Sequence, residues 1–246
     1  MDLNAVFDDR LQEIEAYLDF LDALEQQVRL GPPRIGGAAI TSQQQKILYS
    51  SVYLQLYNLV EATATWCIEA VTVATADGAR WKPADLDQQV RREWVRHIAR
   101  THVDLTYEHR LESAVELCNK LVDALPLAAW NLEKGGGGNW DDSELEQIAG
   151  RLGFQLRVSQ PVYTAIKRKV RDDKSALVLV KYLRNRLAHG TLSFAECGDG
   201  VTVHDLREMK NVTALYLREV IGAFTLFINN TEFIRPERRP VGGAHP

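Results

Sequence analysis

Apolar residues recur at every third or fourth position along most of the chain, which is the spacing of amphipathic helices. The first helix ends at Gly31-Pro32-Pro33, where glycine and proline interrupt the pattern. Thr41 and Ser42 are each followed three residues later by glutamine, which predicts a capped second helix running to about residue 78. Because this second helix is apolar on a wide arc, we expect it at the centre of the core. The stripe of the first helix consists of Leu11, Ile14, Leu18 and Leu21.

The later part of the chain predicts helices of different lengths. A third helix begins near residue 85, a fourth covers about 107–125, and a short one covers about 142–153. Another short helix opens at Pro161, and Asp172 or Asp173 caps the helix that follows the basic run 167–171. The last helix covers about 205–229. Residues 154–158 alternate weakly as in an extended segment, and 191–194 with 201–203 predict a small β-hairpin around the turn 198–200.

These elements predict an all-α fold, an up-and-down antiparallel helical bundle with a small β-hairpin near the end of the chain. We assign residues 1–234 to a single helical domain. Residues 131–171 are interpreted as an insertion, and the four glycines at 135–138 as a mobile loop within it. The segment 235–246 is rich in proline, glycine and arginine, which predicts a disordered tail.

Composition and charge argue against several classes of protein function. The 246 residues carry a net charge of −4, so nucleic-acid binding would need a local basic patch. Three widely spaced cysteines and no CxxC argue against disulfides and zinc and favour a reducing cytoplasm. Arg218 and Glu219 interrupt the most apolar late stretch, so no membrane span is predicted. The glycine run lacks the lysine of a phosphate loop, and no histidine spacing indicates a metal site.

The candidate chemistry lies in one run near the end of a predicted helix, Tyr182-Leu183-Arg184-Asn185-Arg186-Leu187-Ala188-His189-Gly190. On a helix, Val180, Leu183 and Leu187 form a buried stripe. Arg184 and His189 then flank an outward face, separated by about 140° around the axis and about 7.5 Å along it. Asn185 and Lys181 lie between them. Gly190 suits the left-handed residue that ends a helix, and Tyr182 could stack on a base.

For two groups of basic residues, a purely structural interpretation stays open beside the functional one. An arginine and a histidine at a helix end are commonly a solvated face with a C-terminal cation. A second basic face, formed by Arg92, Arg96 and Arg100, could follow an RNA backbone. We favour the interpretation that it is a solvated face paired with the acidic first helix. The tryptophans are expected to pack in the core or under loops.

The run from Leu183 to Gly190 resembles the Arg-Asn-x3-His motif of the HEPN superfamily, the RxxxxH type. It lies late in a mostly helical chain and precedes one more long helix, as in that superfamily. The plan also resembles the stand-alone bacterial HEPN proteins of defence and toxin–antitoxin systems. The resemblance implies a HEPN-like helical bundle, a homodimer with the motif helices at the interface, and metal-independent endoribonuclease activity. It assigns catalytic roles to Arg184, Asn185 and His189 and makes Arg186 a candidate phosphate contact.

The implied reaction suits these residue types. A 2′-hydroxyl of RNA attacks the adjacent phosphorus, His189 carries the proton, and Arg184 holds the phosphate oxygens. Tyr182, Arg186 and Lys181 are expected to bind substrate. No cofactor and no metal are expected. The expected partners are RNA, a second copy, and an antitoxin or defence protein. The alternative is a non-catalytic helical module that uses the same face for dimerisation or partner binding.

Overall fold

The computed structural model describes residues 2–28, 30–101, 103–133 and 139–240. Helices dominate these residues, and the predicted all-α class is confirmed. Two short antiparallel hairpins accompany the helices, β1 Arg34–Ile35 with β2 Ala38–Ala39 and β3 Lys169–Arg171 with β4 Lys174–Ser175. The helices are α1 Leu3–Val28, α2 Ser42–Ala76, α3 Gln88–Ile98, α4 Tyr107–Val122, α5 Asp142–Leu152, α6 Gln160–Lys167, α7 Ala176–Ala188, α8 Phe194–Cys197 and α9 Val203–Asn229.

Helix α2 lies at the centre of the bundle, as its wide apolar arc predicts. It packs against α1, α7, α8 and α9. Its start is the predicted capping box: the Gln44 N–H donates to Thr41 Oγ1 at 3.2 Å, and the Thr41 N–H donates to Gln44 Oε1 at 2.8 Å. The four largest fully buried side chains come from α1, α2 and α9; they are Phe7, Tyr57, Tyr216 and Phe224.

The acidic face of α1 pairs with α9. The ion pairs join Arg218 to Asp8 at 2.7 Å, Lys210 to Glu15 at 2.9 Å and Arg207 to Asp19 at 2.6 Å. The prediction that this face pairs with the arginines of α3 is therefore wrong. On α3, Arg96 pairs instead with Glu93 of its own helix, and the buried Glu93 carboxylate also accepts from Arg151 of α5.

The small hairpin lies before the motif helix and not after it. Residues 191–203 contain the short helix α8, which begins at a capping box made by Ser193 and Glu196. Asp172 and Asp173 do not cap α7. Both have positive φ, 50° and 55°, and they form the turn between β3 and β4, while Ser175 occupies the N-cap. Short polar side chains tolerate this left-handed conformation, so two aspartates suit a turn as well as a cap.

The basic run and the segment before it also differ from expectation. Helix α6 ends at Lys167, and the following residues form β3 instead of extending the helix. Residues 154–158 form no strand. The tail is ordered at its beginning: Pro236–Arg238 form a 3-10 turn, and the Arg235 N–H donates to the Asp85 carbonyl at 2.9 Å. The predicted glycine loop at 135–138 and the tail residues 241–246 lie outside the described residues.

The described part of segment 131–171 contributes to the core. The Trp140 backbone N–H donates to the Tyr57 hydroxyl at 3.3 Å, and Trp130, which directly precedes the segment, donates its indole N–H to Thr75 Oγ1 at 2.7 Å. Both tryptophans are buried, and so are Leu145 and Ile148 of α5. The other tryptophans are buried or pack against the core, as expected. This segment therefore connects the centre of α2 with the surface around α7.

Among the described residues, α2 and α9 are long and apolar enough to cross a membrane by length and composition. Core helices meet the same criterion, and both helices pack at the centre of this bundle. The property is therefore weak evidence for a membrane span. The three cysteines are free thiols, with Cys67 and Cys197 buried and Cys118 exposed.

Candidate functional site

The end of α7 has the backbone geometry that its glycine predicts. Leu183 and Leu187 are buried, as is Val180, so the predicted stripe faces the core. His189 is the C-cap residue, and its N–H donates to the Asn185 carbonyl at 3.0 Å. Gly190 follows with φ of 67°, the left-handed conformation that a side chain would strain. The helix therefore stops directly after the histidine.

Arg184 is held against α2. Its guanidinium lies 4.3 Å from the centre of the Tyr57 ring, and its Nη1 donates to Asn185 Oδ1 at 2.9 Å. Nη2 lies 3.8 Å from Glu61 Oε2. Burial raises the pKa of the Tyr57 phenol, and the Trp140 N–H and the Arg184 charge offset this only in part. The neutral ring therefore gives Arg184 a fixed platform, while about a third of the arginine side chain stays exposed.

Asn185 connects the motif helix to the chain before α5. Its Nδ2 donates to Asn139 Oδ1 at 2.8 Å, while its Oδ1 accepts from Arg184. The side chain does not orient the His189 imidazole; only the backbone carbonyl of Asn185 contacts the histidine, at its N–H. Asn185 therefore positions Arg184 and the segment at residue 139.

His189 is exposed, and its imidazole makes no hydrogen bond to any residue that the structure describes. Both ring nitrogens are therefore open to a ligand or to a second protein chain. Five residue steps separate His189 from Arg184, which corresponds to about 7.5 Å along the helix axis and about 140° around it. An exposed imidazole and a positioned guanidinium near the same helix end can bind an anion and transfer a proton.

The other residues that are predicted to bind substrate form contacts with residues of the same chain. Lys181 Nζ pairs with the buried carboxylate of Asp141, the N-cap residue of α5. Burial by itself would raise the Asp141 pKa, but hydrogen bonds from Lys181, from Ser143 and from the Glu144 N–H outweigh it and hold the pKa below its ordinary value. Lys181 therefore has a structural role, since it joins α7 to the start of α5.

Tyr182 and Arg186 are also in contact, through a hydrogen bond between their side chains. Arg186 Nη1 donates to the Tyr182 hydroxyl at 3.1 Å, and its Nη2 donates to the Thr191 carbonyl at 2.9 Å. The Lys174 ammonium lies 4.5 Å from the centre of the Tyr182 ring. Tyr182 thus contacts two cations, and a stacking base would compete with Lys174 for its ring. Arg186 closes the turn that follows the histidine.

Sequence reasoning missed three residues that build this site. Tyr57 and Glu61 lie four residues apart on α2, the spacing of one helix face, but nothing in that spacing indicates a partner on α7. Asn139 follows the glycine run and carries no local signal. Within the described ranges, no group of three or more histidine, cysteine, aspartate or glutamate side chains could hold a metal ion.

Comparison with known protein families assigns the chain to a family. The model of the HEPN_MAE_28990-like HEPN family matches residues 2–233, which is nearly the whole chain. Neither the curated proteins nor the solved structures yielded a match. The match includes the helical core as well as the motif on α7, so it extends far beyond the run that first indicated it. This chain belongs to the HEPN_MAE_28990-like HEPN family.

Proposed function

We propose that this protein is a metal-independent endoribonuclease that cleaves RNA by attack of the 2′-hydroxyl on the adjacent phosphorus. The observation that supports this most is the exposed His189 imidazole, which has no partner among the described residues and follows an arginine held in place by Tyr57 and Asn185. We further propose that the enzyme acts in the cytoplasm, in phage defence or as a toxin. An antitoxin or a defence protein would then be its partner.

The chemistry assigns one role to each side chain. His189 removes the proton of the 2′-hydroxyl or protonates the leaving 5′-oxygen. Arg184 binds the non-bridging oxygens, whose negative charge grows in the transition state. Because Tyr57 and Asn185 already hold the guanidinium, little reorganisation is needed when the phosphate arrives. The products are a 2′,3′-cyclic phosphate and a 5′-hydroxyl.

The reaction needs both a base and an acid, and one helix end offers a single histidine. Two copies related by a two-fold axis would bring two histidines and two arginines into one cleft. The exposed end of α7 leaves room for such an arrangement. We therefore propose a homodimer with the motif helices at its interface, so that each protomer provides half of the site.

The test is cleavage of a defined single-stranded RNA by the purified wild type in the presence of EDTA. We expect cleavage, a cyclic phosphate at the new 3′ end, and complete resistance of the same oligomer with 2′-deoxy sugars, because the attacking hydroxyl is missing. Mass spectrometry of the fragments identifies both ends. Cleavage of the deoxy oligomer, or activity that disappears with EDTA, would contradict the mechanism.

The role of the planar Arg184 guanidinium can be tested by substituting lysine. We expect Arg184→Lys to lower kcat by roughly 10² while the free energy of unfolding changes little, because lysine keeps the charge but loses bidentate phosphate binding. Single-turnover kinetics and urea unfolding measure the two quantities. The matched control is Arg110→Lys, an exposed arginine on α4 that pairs with Asp104. A lysine variant with wild-type kcat would remove Arg184 from transition-state binding.

A second candidate function is suggested by the side chains of the motif helix that already contact other parts of the chain. Lys181, Tyr182 and Arg186 all contact other parts of the chain, which leaves few free groups for an RNA backbone. This favours a non-catalytic helical module whose motif face binds a second protein. Such a module would not cleave RNA as a pure wild-type protein, and substitutions on the motif face would change its assembly instead.

A further inference from the structure

The outward face of α3 is basic, and its expected acidic partner contacts another helix. The acidic residues of α1 pair with α9 instead. Arg92 and Arg100 are exposed, and their side chains form no ion pair or hydrogen bond with any residue that the structure describes. Arg96 bonds to the buried Glu93 and still exposes 36% of its side chain. We call this surface the α3 basic face; it consists of Arg91, Arg92, Arg96 and Arg100.

The α3 basic face surrounds a shallow groove of about 310 Å³. At about 100° per residue, Val95 lies between Arg91 and Arg92 on the helix surface, and Arg96 lies on the other side of Arg92. Arg91 is held at one edge, because its Nη2 donates to two backbone carbonyls of the segment before α3, at 2.8 and 3.2 Å. The residues that line the groove are Gln88, Arg91, Arg92, Val95, Arg96 and Thr101. Three guanidinium groups therefore border one small depression.

The last arginine of the α3 basic face has a backbone conformation that suits glycine. Arg100 follows Ala99, the C-cap residue of α3, and has a φ of 50°. Glycine is the usual residue at this position of a helix end, because a side chain strains the left-handed conformation. The end of α3 therefore does not need an arginine at position 100, and glycine there removes the charge without disturbing the local fold.

The excess of positive charge extends beyond α3. Residues 80–100 and 235–239 lie side by side, since the Arg235 N–H donates to the Asp85 carbonyl at 2.9 Å and the Asp87 N–H donates to the Phe233 carbonyl at 2.8 Å. Together the two segments contain nine arginine and lysine residues and four acidic residues, which gives a net charge of +5. The whole chain has a net charge of −4, so the remaining residues carry −9. This part of the surface therefore attracts polyanions although the protein as a whole is acidic.

The spacing of the arginines fits a chain of phosphates. Arg92 and Arg96 are about 6 Å apart along the helix axis, and Arg100 continues the row directly past the end of α3. Neighbouring phosphates of a polynucleotide strand have a comparable separation, and the planar guanidinium binds a phosphate through two parallel N–H donors. A lipid surface fits less well, because a helix that lies on lipid inserts its apolar side, and the apolar residues Val90 and Trp94 are buried in the core.

We propose that the α3 basic face binds the phosphate backbone of RNA as a second contact for the substrate of the proposed nuclease. Helix α5 connects the two places, since Arg151 bonds to Glu93 of α3 while Asp141 pairs with Lys181 of α7. Arg151 and Asp141 are ten positions apart, which is about 15 Å along the helix axis. An RNA strand of several nucleotides is longer than this distance. The choice of RNA as ligand rests on the proposed function, whereas the phosphate contacts themselves do not.

The first experiment measures binding of a labelled single-stranded RNA to the His189→Ala protein, which leaves the RNA intact. We expect the added changes Arg92→Gln/Arg100→Gly to raise Kd several-fold. The slope of log Kd against the logarithm of salt concentration should fall by about 1.4, which is about 0.7 for each of two lost phosphate contacts. The midpoint of urea unfolding should not fall, because glutamine suits an exposed helix position and glycine suits the φ of residue 100.

The matched control is Arg10→Gln/Arg34→Gln, which removes two exposed arginines from α1 and β1 and changes the net charge equally. It should bind RNA like its His189→Ala parent. The same oligomer with deoxy sugars should show the same loss in the α3 variant, since the contacts are to phosphates. A folded α3 variant that binds RNA as the control does would overturn the proposal. Loss of binding to phosphatidylserine vesicles with unchanged binding to RNA would also overturn it, in favour of a membrane contact.

The second experiment tests whether the α3 basic face acts at a distance from the cleavage site. It compares cleavage of a long RNA and of a short RNA of about four nucleotides, the lower end of single-strand binding sites. Arg92→Gln/Arg100→Gly should raise KM for the long RNA, leave kcat unchanged, and leave both constants unchanged for the short RNA. An equal rise in KM for both lengths would contradict a separate surface. A wild type that cleaves neither RNA would contradict the proposed nuclease, while the binding experiment still decides the role of the α3 basic face.

Discussion

Replacing His189 by alanine is expected to abolish RNA cleavage while the protein stays folded. General acid–base catalysis by a single side chain contributes a factor of roughly 10² to 10⁴ to a rate, and in a two-fold site the substitution removes both histidines at once. The side chain is exposed and contacts none of the described residues, so its loss leaves the core and the helix end intact. Single-turnover cleavage of a labelled RNA gives the rate, and circular dichroism gives the helix content.

The matched control is His204→Ala, which removes an exposed histidine from the first turn of α9. This variant should cleave at the wild-type rate, so that a loss seen only with His189→Ala is assigned to position 189 and not to the removal of any exposed histidine. RNA binding by the His189→Ala protein should persist, because Arg184 remains in place. Cleavage by His189→Ala at the wild-type rate would remove the histidine from the mechanism and leave the binding module as the better candidate.

A mixing experiment separates a shared site from two independent ones. His189→Ala and Arg184→Ala protomers are each expected to be inactive alone. If the two motif helices build one composite site, hybrid dimers combine an intact histidine from one chain with an intact arginine from the other. Activity recovered on mixing would support the shared cleft. Two inactive variants that stay inactive when hybrids demonstrably form would contradict it.

Substituting Lys181 by alanine is expected to give the largest loss of stability among single changes near the site. The buried Asp141 carboxylate would lose its charged partner. Breaking a buried ion pair from one side costs about 3–5 kcal/mol, and we expect the lower end of this range because a quarter of the lysine side chain is exposed. Urea unfolding at neutral pH measures the change. Lys46→Ala, which breaks an exposed pair with Asp199, is the control and should leave the midpoint nearly unchanged.

The pH dependence of this loss has a definite sign. In the wild type the folded Asp141 pKa lies below its ordinary value of 3.8, so the pair stabilises the fold above that value and ceases to do so as the pH falls through the folded pKa. Without Lys181 the first of the contributions that lower the Asp141 pKa is lost, so the neutral acid becomes relatively more favourable in the folded protein. The difference in unfolding free energy between wild type and variant should therefore shrink as the pH is lowered towards about 3. A difference that grows on acidification would contradict the role of this pair.

Several features of the fold could be predicted from local pattern alone. The capping box at Thr41 depends on residues three positions apart, and the buried stripe of α7 depends on the helical repeat. The end of α7 beside His189 depends on one glycine, Gly190. Each involves residues within a turn or two of one another, so the physics that decides them is contained in a short stretch of sequence.

Other features needed contacts between distant residues. Asp172 and Asp173 suit a helix cap and a left-handed turn equally well, and the choice follows from the pairing of β3 with β4 beside α7. The acidic residues of α1 could have paired with any basic face, and they pair with α9 because α9 lies beside α1 in the bundle.

By itself, the sequence determined how side chains are arranged around one helix, including the buried stripe of α7 and the outward face that Arg184 and His189 flank. Only the tertiary structure decided which other residues each helix face contacts. It placed Arg184 over Tyr57 and paired Lys181 with Asp141. The physical reason is that helical repeat is a local property of the backbone. The partner of a face depends instead on how elements far apart in the chain pack to bury their apolar surface.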